Sequence, residues 1–254
     1  MLFVIDVGNT NIVMGIYNHE ILIQDWRIRT ERNITEDEFN IIITNLFSSS
    51  HIKTSEIEKI IISCVVPPMV TILDAFCKKY LGQTPHWVDA KSCTEMPILL
   101  NNPDELGADR IVNAVAAFDK YKTSLIIIDF GTATTFDVIS EKGEYLGGAI
   151  SPGIMISAEA LFKNASKLPR VEIFELPKNI IGKDTAGSIK AGIIFGYGGL
   201  VDGIIKQMIK EINPKPKVIA TGGLAPLMKN ISESIETVEP DLTLEGLRII
   251  SHDL

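Results

Sequence analysis

The stretch Leu125-Ile-Ile-Ile-Asp129-Phe-Gly131-Thr132-Ala-Thr134-Thr135-Phe-Asp137 decides the fold. An apolar run of this length, bounded by turn residues, reads as a strand buried on both faces. It ends on a carboxylate, where a buried sheet meets a site, and Gly131 lets the backbone approach a ligand closely. The N-terminus repeats the arrangement in Leu2-Phe-Val-Ile-Asp6-Val-Gly8-Asn9-Thr10. Two such strand-Asp-x-Gly turns facing one another would make a phosphate and cation site.

Outward from the first turn, residues 2–7, 11–17 and 21–28 read as three strands, with Asn18-His19-Glu20 as a turn. His19 is then a solvated turn residue. Thr35-Glu-Asp-Glu38 is a capping box that opens a helix to about residue 47. Residues 59–66 form an apolar strand that stops at Pro67-Pro68, followed by a helix over 69–80 and a strand over 84–88. Asn101-Asn102-Pro103-Asp104 opens a helix to about residue 121, on which Ile111, Val115 and Phe118 share an apolar face. Outward from the second turn the order recurs. Strands are expected over 125–130, 134–140 and 144–150, and helices over 152–165 and 183–212. A strand over 217–220, a helix, a strand over 234–238 and a last helix from Thr243 complete the chain. The pattern β-β-β-α-β-α-β thus occurs twice, which divides an α/β chain into two domains, 1–117 and 118–254, each a mixed sheet flanked by helices. Strands and helices alternate in any α/β protein. What marks a duplication is the Asp-x-Gly turn at the same place in both halves.

The bulk properties narrow the function. Of the 254 residues, 46% are hydrophobic and 22% charged, as in a globular protein with a sizeable core. A net charge of −8 argues against nucleic acid as the partner, since phosphate backbones call for clustered Lys and Arg. Cys64, Cys77 and Cys93 are scattered, which fits a reducing compartment better than a disulfide framework. No basic segment precedes the first strand, and no apolar run reaches the roughly 18 residues of a membrane span. The expectation is a cytoplasmic protein with no membrane partner.

The turns carry the chemistry. Gly8 permits a tight turn in which the amides of Asn9, Thr10 and Asn11 converge, and backbone N–H groups with hydroxyls bind phosphate without a helix. The two commonest phosphate loops, G-x-x-x-x-G-K-[ST] and G-x-G-x-x-G after a strand, are absent. Asp6 suits Mg²⁺, which takes few carboxylates and keeps waters and nucleotide phosphates. A lone Asp-x-Gly hairpin carries no function; its recurrence gives it one. Thr221-Gly222-Gly223 follows a strand and opens a helix, leaving room for a base or ribose against the backbone. Asp109 has the chemistry to take a proton from an attacking hydroxyl, and Arg110 to hold a carboxylate or phosphate bidentately. An acid in the first turns of a helix also simply complements its dipole. On the residues alone both readings of Asp109 stand.

Asp6-Val-Gly-Asn-Thr10, Gly107-Ala-Asp-Arg110, Asp129-Phe-Gly-Thr-Ala-Thr134, Gly147-Gly-Ala-Ile-Ser-Pro-Gly153 and Thr221-Gly-Gly223 together resemble type III pantothenate kinase, in order and across nearly the whole chain. That family lies in the actin-like (ribonuclease H-like) ATPase superfamily with acetate and sugar kinases. The resemblance implies duplicated actin-like domains with ATP in the cleft between them, and phosphorylation of pantothenate as the first step of coenzyme A synthesis. It implies that Asp6, Val7, Gly8, Asn9, Thr10, Asn11, Ile12 and Val13 bind ATP, with Asp6 holding Mg²⁺ through water and Thr132 contacting ATP. Asp109 becomes the general base. Gly107, Ala108 and Arg110 line the pantothenate site, and Asp129 holds the K⁺ or NH₄⁺ the family requires. Thr185 matches a threonine that reaches pantothenate from the partner subunit of a homodimer. One position departs. The family's tyrosine three residues before Pro103 is Leu100 here, which keeps apolar contact and removes a hydrogen bond of about 0.5–1.5 kcal/mol. Two other functions fit the same residues: a kinase of another small hydroxy acid or sugar, and a nucleotide-binding regulatory protein without kinase activity.

Overall fold

The computed structural model describes residues 1–91, 96–173 and 175–252. Cys93 lies outside them. The chain divides into two compact units, Met1–Ala116 with Leu242–Leu254, and Ala117–Asp241.

The first unit begins with β1 (Leu2–Val7), β2 (Asn11–Asn18) and β3 (Ile21–Arg29). Helix α1 (Glu36–Ser49) follows, opened by the expected capping box: Glu38 N donates to Thr35 Oγ1 at 3.2 Å and Thr35 N to Glu38 Oε2 at 2.9 Å. Then come β4 (Lys59–Cys64), α2 (Pro67–Phe76), the two-residue β5 (His86–Trp87) and α3 (Ala108–Tyr121). The sheet order is β3-β2-β1-β4-β5. β1 is antiparallel to β2 and parallel to β4. One face of the sheet carries Phe3, Ile5, Ile12, Met14, Ile60 and Ile62 into a core with Phe39, Ile43 and Phe47 of α1 and Met69, Leu73 and Phe76 of α2.

The second unit repeats this with β6 (Leu125–Phe130), β7 (Ala133–Ile139), β8 (Tyr145–Pro152), α4 (Ile154–Asn164) and the long α5 (Thr185–Glu211). After these come β9 (Lys217–Thr221), α6 (Ala225–Lys229) and β10 (Thr237–Val238). Its sheet order, β10-β9-β6-β7-β8, is the first sheet's order with each strand replaced by its counterpart. Parallel and antiparallel pairings recur as well. The duplication expected from the turns is therefore a duplication of topology.

Four details differ from the sequence expectations. The helix expected to run on from Pro103 is two pieces: a 3₁₀ turn over Pro103–Glu105, an extended Leu106, and α3 from Ala108. Pro103 can start a turn, but the extended Leu106 breaks it before the next amides can continue. The helix expected over 69–80 closes as a wide turn, Cys77–Leu81, ending at Gly82 with φ +66°. The edge strands β5 and β10 (Thr237–Val238) are shorter than expected, because beyond two residues they have no sheet partner. The last helix, α7 (Leu242–His252), falls by chain order in the second half but packs in the first unit. Leu242, Leu244, Leu247 and Ile250 are all buried there.

By length and composition α5 also meets the requirement for a membrane span, which no continuous apolar run in the sequence does. Apolar residues spread among polar ones reach the same mean hydropathy. Its Ile194, Tyr197, Val201 and Ile205 sit in the core of the second unit.

Candidate active site

Asp6 and Asp129 occupy the same place in their sheets. Asp6 pairs in register with Val13 of β2, as Asp129 pairs with Thr135 of β7. Both carboxylates are half-buried.

The first turn is closed by a hydrogen bond from Gly8 N to the Asn11 carbonyl at 3.0 Å. A Cβ at Gly8 would lie 3.2 Å from that carbonyl, so glycine keeps the turn tight. Thr30, the residue after β3, braces it. Its hydroxyl donates to the Gly8 carbonyl at 2.7 Å and its N–H to the Thr10 carbonyl at 3.0 Å. Because a trans peptide sets each N–H opposite the preceding carbonyl, the amides of Asn9 and Asn11 leave on the other side of the turn. Arg32 donates to Asn9 Oδ1 at 2.8 Å. Val7 and Ile12 bury their side chains in the core, so what they offer a ligand is backbone. Next to Asp6 in space, the Cys64 thiol is pushed up by burial, with the Asp6 charge adding to the effect. It stays protonated at neutral pH and leaves Asp6 as the anionic group of this turn.

Gly107 precedes α3 and accepts the N–H groups of Arg110 at 3.1 Å and Ile111 at 3.2 Å. The Asp109 carboxylate folds back: Oδ1 accepts from Arg110 N at 2.8 Å and lies 2.6 Å from where a Gly107 Cβ would stand. Glycine at 107 is thus what gives the carboxylate its position. The same Cβ would sit 3.7 Å from Val65 Cγ1, and Val65 N donates to the Val7 carbonyl at 3.0 Å. The start of α3 therefore adjoins the end of β1, which brings Asp109 and Arg110 to the neighbourhood of the Asp6 turn within one unit. Asp109 and Arg110 are half-buried, and so is Leu100.

In the second unit, Gly222 has φ +90°, and a Cβ there would lie 2.6 Å from Asp129 Oδ1 and 2.7 Å from the Phe130 carbonyl. Two oxygens, one of them anionic, converge on a face that only glycine leaves bare. Gly153, at the start of α4, presses on the same turn, since its Cβ would come within 2.2 Å of the Thr132 carbonyl. Thr132 is exposed, whereas Thr134 is buried with its Oγ1 2.7 Å from the Tyr197 hydroxyl. Asp137, fully buried, accepts from Tyr145 Oη and from Thr135 Oγ1, which ties β7 to β8. Thr185 is exposed at the start of α5, where Asp184 caps the helix by accepting from Gly187 N at 2.7 Å.

The sequence does not point to Thr30, and at Gly222 it points to room for a base or ribose and not to the close approach to Asp129. Their contacts are long-range, and the only local hint at Thr30 is a hydroxyl placed just after a nine-residue strand. Among the described residues no cluster of three or more His, Cys, Asp or Glu is placed to hold a metal.

A crystal structure of an inorganic polyphosphate/ATP-glucomannokinase from Arthrobacter sp. strain KM matches the chain with a TM-score of 0.55 at 14% identity, covering 100% of this chain and 99% of that one. With the repeated sheets, this likeness defines the class as a duplicated actin-like fold of the kind sugar kinases have. The sequence profile of the type III pantothenate kinase family matches residues 2–207. The type III pantothenate kinase of Desulfatibacillum aliphaticivorans is 64% identical over 250 residues, 98% of this chain and 97% of that one. That of Desulforapulum autotrophicum is 65% identical over 252 residues, 99% and 96% of the two chains. The chain belongs to the type III pantothenate kinase family.

Proposed function

We propose that the protein transfers the terminal phosphoryl group of ATP to the hydroxyl of pantothenate, giving 4′-phosphopantothenate and ADP in the first step of coenzyme A biosynthesis. Membership of the family carries this reading. The first turn of α3 supplies the chemistry that such a transfer asks of a protein.

Phosphoryl transfer needs positioning, charge stabilisation and one group to take the proton of the attacking hydroxyl. Asp109 takes that proton. Its carboxylate is already oriented by Arg110 N and by the missing Cβ of Gly107. Arg110 holds the pantothenate carboxylate, a bidentate pairing that a planar guanidinium suits. Gly107 and Ala108 line the site, and Leu100 gives it apolar contact. The Gly8 turn binds ATP phosphates with the amides that Thr30 turns away from itself, and Thr132 contacts the nucleotide.

The residues at Asp6 fit Mg²⁺: one carboxylate with a serine hydroxyl in the neighbouring strand is a sparse, hard oxygen set that leaves room for waters. Bound there, Mg²⁺ supplies charge neutralisation on the phosphates. The Asp129 carboxylate with the Phe130 carbonyl is an all-oxygen pair that suits K⁺ or NH₄⁺. We read the protein as cytoplasmic, since the reaction consumes ATP.

A homodimer, with Thr185 of the partner subunit reaching pantothenate, is supported by apolar surface on the second unit. Ile150, Ile180 and Ile181 are each at least 60% exposed. Next to Ile150 a cavity of about 260 Å³ is lined by Ser151, Pro152, Gly192, Ile193, Gly196 and Tyr197. Light scattering on the purified protein should give twice the chain mass; a monomer would remove this part of the reading.

The test of the activity is release of ADP from Mg-ATP in the presence of K⁺ or NH₄⁺, with pantothenate added or withheld, alongside a panel of sugars and hydroxy acids. Release that follows pantothenate alone is expected. Release with another acceptor and none with pantothenate would overturn the substrate. Asp109→Asn should lower turnover by about 10²–10⁴-fold while leaving the thermal melt in place; near-normal turnover would strip Asp109 of its role as base.

A further inference from the structure

Ser63 is fully buried, and its Oγ is the one buried side-chain polar atom among the described residues that has no hydrogen-bond partner. A buried orphan hydroxyl destabilises a fold, and alanine there would remove the penalty, so such a group calls for a physical reason.

Its position gives one. Ser63 pairs in register with Asp6 across the parallel strands β4 and β1. Residues in register project to the same face of a sheet. Ile60 and Ile62 alternate with it and point into the core on the other face. Ser63 therefore shares the side of Asp6. The end of β4 is held by the hydrogen bond from Val65 N to the Val7 carbonyl at 3.0 Å and by Cys64 Sγ donating to the Val66 carbonyl at 3.3 Å. The duplication makes the same pairing twice. The fifth residues of β1, β4, β6 and β9 are Asp6, Ser63, Asp129 and Thr221. Asp129 pairs with Thr221 as Asp6 pairs with Ser63. In each unit a carboxylate stands beside a hydroxyl at the mouth of the two central strands.

We propose that Ser63 is a positioning residue for the magnesium–nucleotide site: its hydroxyl turns onto the Asp6 carboxylate beside it and so fixes the oxygen through which Asp6 holds the cation. The inference rests on the reading of Asp6 given above. It separates stability from binding, because the hydroxyl has no partner within the chain.

The experiment is calorimetric titration of MgCl₂ into protein saturated with a non-hydrolysable ATP analogue, paired with thermal melts of the ligand-free protein. Ser63→Ala should weaken Mg²⁺ binding by about 3–10-fold, the loss of one hydrogen bond, while the melting temperature stays or rises. Ser63→Cys keeps nearly the same volume with a much weaker donor and should bind as poorly as the alanine variant. Unchanged binding in Ser63→Ala, or wild-type binding in Ser63→Cys, overturns the proposal. A melting temperature that falls together with binding also overturns it, as the hydroxyl would then be structural. Asp6→Asn in the same titration tests the underlying reading. If it binds Mg²⁺ like the wild type, both readings fall; if it loses Mg²⁺ while Ser63→Ala does not, only this one does.

Discussion

At the residue scale, several positions act through what glycine lacks. Gly107→Ala would set a methyl 2.6 Å from Asp109 Oδ1 and push the carboxylate off its place. A displacement of about 1 Å costs on the order of 10²-fold in rate when the group must meet a reacting atom. We expect Gly107→Ala to lower kcat by about that factor with little change in KM for ATP, as steady-state ADP release will measure. Gly222→Ala is harsher. Its φ of +90° disfavours any side chain, and the new methyl would meet both Asp129 and the Phe130 backbone. It should destabilise the fold by roughly 1–3 kcal/mol and remove the dependence of activity on K⁺, read by a melt and a K⁺ titration. The matching places of Asp6 and Asp129 were legible in the sequence because the strand-Asp-x-Gly turn recurs in both halves. Ser63 was not. A serine after three isoleucines in an apolar strand reads as a tolerated small residue until the pairing register sets it beside Asp6.

At the element scale, the sequence located every long helix and every central strand, and erred at the ends. Central strands are long, apolar and β-branched, so their pattern stands alone. The edge strands β5 and β10 depend on a neighbour that local pattern does not reveal. Helix ends turn on single residues such as Leu106 and Gly82. One junction has a pH signature. Asp202 of α5 accepts from Ser232 Oγ at 2.6 Å, Ser234 N at 3.1 Å and Glu233 N at 3.2 Å, which fastens the segment before β10. Burial alone would raise its carboxyl, but the hydrogen bonds from Ser232, Ser234 and Glu233 outweigh it and hold the group below its ordinary 3.8. A depressed carboxylate stabilises above its unfolded pKa, and the benefit is lost as pH falls through the folded value. Asp202→Ala should therefore lower the melting temperature by about 2–4 °C at neutral pH. The gap should close below about pH 4, and a gap that persists in acid would deny the carboxylate this role.

At the scale of the whole molecule, the sheet order recurs strand for strand; the Asp-x-Gly turns marked the duplication in the sequence but not that order. The place of α7 was not legible, since its amphipathic pattern says that one face is buried and not against what. It lies on the first sheet. The Leu244 side chain reaches the bare face of Gly15, Gly246 lets α7 close on the backbone of Val112, and Tyr17 Oη donates to Glu245 at 2.8 Å. Burying Leu242, Leu244, Leu247 and Ile250 contributes about 6–12 kcal/mol at roughly 1.5–3 kcal/mol per side chain, comparable to the net stability of a whole domain. A chain ending at Asp241 should thus lose the cooperative melt of the first unit, as circular dichroism will register; a retained wild-type transition would refute this. The same helix also bears on synthesis. Residues 117–241 are made between the two segments of the first unit, which lacks α7 until residues 242–252 are made. Domains usually mature from the N-terminus onward. In this protein the unit that carries Asp6 and Asp109 is begun before the other and completed after it, so that unit stays unfinished in a nascent chain until α7 has emerged.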